Sequence, residues 1–150
     1  MKMSPEYQNA SRAMTPGGIS PDGFFGEDTR ALPDIIQADE EEMRRLDLDF
    51  ETTADALERI IKEGGTGLGA PVSVDNVLQV TVEEVRGLIP CPFRDGRFPK
   101  NVVRVTQAAS GAALLVSSLS VHLLRAHHFL QGRGSAFRLE PAALKALLER

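Results

Sequence analysis

The residues best suited to chemistry lie in the second half of the chain. His122, His127 and His128 fall within seven consecutive positions of the segment LSVHLLRAHHFLQ, and Cys91 is the only cysteine. Imidazole nitrogen and thiolate sulfur bind zinc, and the same two groups act as base and nucleophile in thiol enzymes. Which of these chemistries is open to them depends on which histidines face the cysteine.

A helical wheel separates the three histidines. The segment has an apolar face at helical spacing, formed by Leu119, Leu123, Ala126 and Leu130. His122 and His127 are expected to flank that face, whereas His128 points to the opposite side of the helix. The separation of His122 and His127 lies within the spacing that paired histidines have in structural zinc sites. The sequence therefore predicts a site with two histidines, and His128 lies outside it.

The order of residues from Cys91 to His128 resembles part of a known metal-binding fold. Cys91 is followed by apolar residues, a predicted hairpin and the pattern Leu-x-x-His-x4-His, which is similar to the helical half of a zinc finger with two cysteines and two histidines. The family's second cysteine is missing: Asp95 stands four residues after Cys91, and the hairpin follows the cysteine instead of containing it. Because zinc accepts sulfur, nitrogen and carboxylate oxygen, the resemblance implies a mixed site. Its ligands would be Cys91, Asp95, His122 and His127.

Two other interpretations of the same residues stay open. In the first, Cys91 is a small core residue and His122 is half-buried on a backbone carbonyl. His127 and His128 then lie on the surface at the helix C-terminus, where a cation is favoured. In the second, Cys91 is the nucleophile of a thiol enzyme or hydrolase with a histidine base. No helix N-terminus follows Cys91 and no set of oxyanion donors is evident, so we name no catalytic residue.

The charge of the chain is divided between its two halves. Residues 1–90 carry 8 Lys/Arg and 18 Asp/Glu, and residues 91–150 carry 9 and 3, within a net charge of −4. The basic half could face an anionic partner, or the acidic helices could neutralise it on folding. The candidate anion- or partner-binding residues are Arg94, Arg97, Lys100, Arg104, Arg125 and Arg133. The acidic total disfavours a dedicated nucleic-acid binder, so we expect a protein partner first.

The elements that position these residues predict an α+β fold with one domain. Residues 1–30 are rich in Pro and Gly and are expected to form a flexible arm, with Phe24 and Phe25 as anchors onto the domain. Residues 31–65 predict an acidic hairpin of two helices, and residues 66–150 predict an antiparallel sheet of about four strands with further helices. A bulge is expected near Glu83 and Glu84, where the strand alternation loses its phase.

The histidine helix is expected to pack on this sheet. It should begin at a Ser117 or Ser118 cap and end at Gly132, before a short C-terminal helix that begins at Pro141. The chain has no apolar run of the roughly 18 residues that a membrane helix needs, and its single cysteine excludes an intramolecular disulfide. We therefore expect a cytoplasmic, non-enzymatic binding or interaction module. The alternatives are a structural zinc domain with a basic face for an anionic partner or nucleic acid, and a thiol enzyme.

Overall fold

A computed structural model describes residues 3–149, and in this range the chain forms five helices and a four-stranded antiparallel sheet. The helices are α1 (Pro5–Ala13), α2 (Leu32–Arg45), α3 (Phe50–Gly65), α4 (Ser118–His127) and α5 (Pro141–Leu148). The strands are β1 (Val72–Val74), β2 (Leu78–Pro90), β3 (Arg97–Thr106) and β4 (Ala113–Val116). The predicted α+β class, with a helix packed on the sheet and a short C-terminal helix, is confirmed.

The sheet is a meander with the order β1-β2-β3-β4, and helices cover one of its faces. Alternate residues of the strands point to that face and are buried: Val80, Val82, Val103, Val105, Leu114 and Val116. They form one hydrophobic cluster with side chains of α3, α4 and α5, which we call the sheet cluster. The opposite face carries exposed residues such as Arg104, as the period-two alternation of a half-buried sheet requires.

Strands β2 and β3 extend beyond their neighbours as a two-stranded arm. β1 pairs only with residues 78–80 of β2, and β4 pairs only with residues 103–106 of β3. The register shifts between Val85 and Leu88. The bulge expected near Glu83 and Glu84 is therefore wrong in position. Gly87, at φ 105°, supplies the left-handed backbone that the irregularity uses.

A second hydrophobic cluster lies on the other side of α4, and we call it the N-terminal cluster. It joins α1, residues 24–36 and the start of the β2–β3 turn through Ala10, Met14, Phe24, Leu32, Ile35, Cys91, Leu119, Leu123 and Phe129, among others. Helix α4 contributes to both sides, because Val121 and Leu124 belong to the sheet cluster. Helix α4 therefore lies between the two clusters and packs against both of them.

The N-terminal segment differs from the flexible arm that we expected. Ser4 caps α1 by accepting the amide of Tyr7, with Pro5 at the first helical position. Met14 is fully buried and Phe24 is 4 % exposed, which confirms the predicted aromatic anchor. Buried apolar side chains thus hold the described part of this segment, residues 3–30, against the domain.

Helices α2 and α3 follow each other closely in sequence but pack mostly on different neighbours. Both contact α5, but α3 also lies on β1, β2 and α4, whereas α2 also contacts α1. The approach of α3 to the sheet depends on Gly64, where an added Cβ would lie 2.4 Å from Val80 Cγ1. The acidic pair of helices therefore belongs to two layers of the molecule.

Candidate metal centre

A tight turn between β2 and β3 presents Cys91 and Asp95 to the same point. The amide of Cys91 donates to the carbonyl of Gly96, and the amide of Arg94 donates to the carbonyl of Cys91, both at 2.9 Å. The amide of Phe93 lies 3.4 Å from the Cys91 sulfur. These bonds fold the turn back on itself, which places the Asp95 carboxylate beside the thiol.

Helix α4 supplies the two histidines. Its first turn is fixed by a capping box in which Ser117 and Ser120 bond to each other's backbone amides. The last helical residue is His127, and His128 takes a left-handed conformation with φ 53°. The predicted end at Gly132 is therefore wrong. The chain turns earlier because Phe129, fully buried, enters the N-terminal cluster.

Four potential ligands converge between the turn and this helix. The thiol of Cys91, a carboxylate oxygen of Asp95 and a ring nitrogen each of His122 and His127 all lie within 4.8 Å of one another. Asp95 bridges the histidines, with Oδ1 at 2.9 Å from His122 Nε2 and Oδ2 at 2.7 Å from His127 Nε2. The structure thus brings together all four residues that the sequence singled out.

Aromatic rings hold the two imidazoles in place. Phe93 stacks on His127 with ring centroids 3.9 Å apart, and Phe98 stacks on His122 at 4.3 Å. The two histidine rings meet edge to face, at 5.3 Å. From the sequence, Phe93 and Phe98 are aromatics among the basic residues that either turn inward or stack on bases. Their stacking on the histidines was not predicted, and its only signal is their position in the segment CPFRDGRF, next to the predicted ligands.

His128 is engaged elsewhere, as the helical wheel predicted. Its Nδ1 lies 2.7 Å from a Glu40 carboxylate oxygen, and its ring stacks on Phe50 with centroids 3.8 Å apart. It therefore joins α4 to α2 and α3 and is directed away from the cluster of four.

The electrostatics of the cluster depend on burial and on the shared carboxylate. Cys91 is 1 % exposed. Burial, and then the neighbouring Asp95, raise the pKa of its thiol to about 12. Partial burial of Asp95 acts in the opposite sense to its neighbours, but the Cys91 thiol and the two histidines hold its pKa below its usual range. Without a cation the thiol is protonated at neutral pH and is a weak nucleophile.

The four residues fit the requirements of zinc. Zinc holds sulfur, nitrogen and oxygen ligands at about 2.0 to 2.3 Å in a tetrahedron, so two ligand atoms of one ion are about 3.3 to 3.8 Å apart. The four ligand atoms lie within 4.8 Å of one another, so side-chain movements of about 1 Å would bring them to these separations. The exposed fractions of the His122 and His127 side chains, 17 % and 15 %, show that both imidazoles are largely buried.

The six basic candidates do not form one group. Arg125 is bound to three carboxylates of α3, those of Glu51, Asp55 and Glu58. Arg104 lies on the outer face of the sheet, and the turn or its flanks carry Arg94, Arg97 and Lys100. These residues and Arg133 have exposed side chains. Their role in binding stays a prediction.

In the part of the chain that the structure describes, no helix combines the length and apolar character needed to cross a membrane. No protein-family model, curated protein or solved structure matches the chain. Its function must therefore be inferred from the chemistry of its own residues, of which the Cys91, Asp95, His122 and His127 cluster is the most specific.

Proposed function

We propose that this protein is a non-enzymatic binding module whose fold is stabilised by a zinc ion held by Cys91, Asp95, His122 and His127. The observation that carries this proposal is the convergence of one sulfur, one carboxylate and two imidazoles on one point. Bound zinc would supply a positive charge that stabilises the Cys91 thiolate. The ligand set, with two nitrogens and a sulfur, suits zinc better than magnesium or calcium, which prefer oxygen.

The arrangement supports a structural role for the ion. Four protein ligands fill a tetrahedral shell, whereas catalytic zinc sites keep one position for water or substrate. The ligands also come from two separate elements, the β2–β3 turn and α4. A shared ion would fasten the tip of the two-stranded arm to the helix that both hydrophobic clusters use.

A thiol enzyme is less well supported by the same geometry. A cysteine nucleophile needs a lowered pKa and access for its substrate. Burial of Cys91 raises the pKa of its thiol, and only 1 % of the residue is exposed. The protein partner expected from the sequence would meet this module elsewhere on its surface, and the exposed Arg94 and Arg97 beside the site are our candidates for an acidic partner.

The test is metal analysis of protein purified without a tag. Native mass spectrometry and elemental analysis should find one zinc ion per chain, and Cys91→Ser or His127→Gln should reduce that content to a small fraction. His128→Gln is the matched control, because this histidine follows the last helical residue, lies outside the cluster and contacts Glu40. The variant should leave the zinc content unchanged. The proposal is contradicted if the unsubstituted protein is folded, contains no zinc as purified and takes up none when zinc is added.

Substitution of cobalt for zinc tests the ligand set directly. Tetrahedral cobalt bound to a thiolate gives visible absorption and a sulfur-to-metal charge-transfer band in the near ultraviolet. The charge-transfer band should disappear in Cys91→Ser, whereas His128→Gln should retain it. A parent spectrum without a thiolate band would remove Cys91 from the ligand set.

A further inference from the structure

A cavity of about 440 Å³ lies on the side of the arm away from α3, between the N-terminal segment and the start of α4. Its walls come from residues 20–26, the β2–β3 arm, the first residues of α4 and residues 131–137. Small-molecule sites in proteins have volumes of about 300 to 1,000 Å³ and mostly apolar walls. The volume of this cavity falls within that range.

The walls are apolar and pre-formed. Phe24, Ile89, Pro99, Leu119 and Phe137 are among the lining residues. Backbone hydrogen bonds connect two of the walls: the amide of Gly132 donates to the carbonyl of Phe24 at 2.9 Å, and the amide of Glu27 donates to that of Arg133 at 2.8 Å. At Gly26, a Cβ would lie 2.3 Å from the amide nitrogen of Ser135, so the contact between these walls requires glycine. The cavity does not depend on a mobile segment to close it.

The cavity opens to solvent beside Val85, which lines it and is 52 % exposed. Among the lining residues, Lys100 is the only cation and Asp22 is the only acid. Both side chains are exposed, and neither side chain makes a hydrogen bond or ion pair with any residue of 3–149. An apolar pocket with an uncommitted ammonium group suits a molecule with an apolar body and an anionic head.

Helix α4 strengthens the preference for an anion. The cavity reaches its N-terminus, because Ser117 and Leu119 both line the wall. The amides of Ser118 and Ser120 already donate to Asn101 Oδ1 and Ser117 Oγ, so the helix contributes through the positive end of its dipole, which adds to the charge of Lys100. Lys100 also pairs across the arm with Val85, so the charge stands at the apolar opening.

From these observations we propose that the cavity binds a small amphiphilic anion, such as a medium-chain carboxylate, with its chain against the apolar walls and its head on Lys100. This inference rests on the proposed binding function, whose ligand class it names, and the zinc ion takes no direct part in it. The arm and α4, which the zinc site would join, are two of the walls. Metal and ligand would therefore be separate occupants of neighbouring sites.

The test is titration of the zinc-loaded full chain with decanoate, followed by calorimetry and by amide chemical shifts. Decanoate should bind with shifts at the lining residues, whereas decanol and decyltrimethylammonium of the same chain length should bind about tenfold more weakly or not at all. Lys100→Gln should weaken decanoate about tenfold and leave decanol unchanged, and Asp22→Asn should strengthen decanoate. Preference for the cationic detergent, or absence of decanoate binding, would overturn the proposal.

A matched pair of variants locates the site. Val85→Glu places a charge at the opening and should abolish binding, whereas Val77→Glu, at a position 42 % exposed outside the cavity, should leave it unchanged. Equal effects of the two variants on decanoate binding would show that the ligand does not bind in this cavity. A concentration-dependent dimer that Val85→Glu dissociates would show that this surface binds a second copy of the chain and not a small anion. Zinc content is measured on the same samples. Zinc without decanoate binding overturns only this inference, and decanoate binding without zinc overturns only the metal centre.

Discussion

Asp39 and Arg138, 99 positions apart in sequence, form a buried ion pair with two hydrogen bonds of 2.9 Å each. The exposed fractions of their side chains are only 6 % and 8 %. Arg138 also donates to the carbonyl of Gln131 at 2.7 Å. The pair therefore joins α2 to the loop before α5 inside the protein, where water cannot replace either partner.

Removal of one member of this pair should destabilise the fold strongly. Arg138→Met leaves the Asp39 carboxylate buried without its cation, and we expect a loss of about 3 to 5 kcal/mol in the free energy of unfolding. The double variant with Asp39→Leu should recover much of that loss. Urea unfolding measures the free energy of unfolding of the single and the double variant. The control is Arg45→Met, which removes an exposed ion pair with Glu42 and should change the free energy of unfolding by less than about 1 kcal/mol. A single variant as stable as the control would contradict the assignment.

Adjacent glycines at the end of α3 should respond in opposite directions to the same substitution. Gly64→Ala introduces a Cβ at 2.4 Å from Val80, so we expect a loss of about 1 to 3 kcal/mol through overpacking. Gly65→Ala meets nothing within 4 Å and should stabilise by about 0.5 kcal/mol, since alanine restricts the unfolded chain. Thermal unfolding of the two variants checks the prediction, and equal midpoints would show that the close approach of helix and sheet is absent.

Protonation of the Asp28 carboxylate should lower the free energy of unfolding at acidic pH. The Arg30 guanidinium, at 2.6 Å, holds the pKa of Asp28 well below its usual range. The pKa of Asp28 is lower in the folded protein than in the unfolded chain, where it is about 3.9. The contribution of Asp28 to the free energy of unfolding is therefore complete above about pH 3.9 and is lost as the pH falls below that value. Asp28→Asn should lower stability at pH 7 and flatten the decline between about pH 4 and 2. Asp22→Asn is the control, and a parallel decline in both variants would exclude Asp28 as its source.

Removal of zinc should weaken the protein by mass action. At free zinc about 1,000 times its dissociation constant, the ion stabilises the folded state by about 4 kcal/mol. A chelator should therefore lower the urea midpoint of the parent and of His128→Gln, but not that of His127→Gln, which lacks a ligand. A chelator effect of equal size in His127→Gln would place the metal elsewhere.

The sequence was informative where one local rule decided the outcome. Helical spacing separated His128 from His122 and His127, and the alternation in Val103-Arg104-Val105 indicated a half-buried strand. The order of the elements followed from proline, serine and glycine signals near their ends. The four candidate ligands were found from residue type and spacing, since only one hairpin, β3 and β4, separates the turn from α4 in the chain.

The rest depended on contacts between distant parts of the chain. The helix ends at His127, and not at Gly132, because Phe129 packs into the N-terminal cluster against residues almost a hundred positions earlier. Helix α1 lies in a segment rich in turn-forming residues, and its burial depends on α2 and Phe93. The cavity is bounded by four separate segments of the chain, so no local sequence pattern predicts it.

The position of α4 between the two hydrophobic clusters has a consequence for the order of folding. Neighbouring strands of the meander are consecutive in sequence, so the sheet itself closes mostly short loops. The N-terminal cluster joins Ala10 to Phe129, about 120 positions apart, and pays a larger loop-closure entropy. We therefore expect the sheet and α4 to assemble first, and native-state amide exchange in α1 to be faster than in β3; the reverse order would contradict this. Helix α4 would then be the template on which the N-terminal layer assembles.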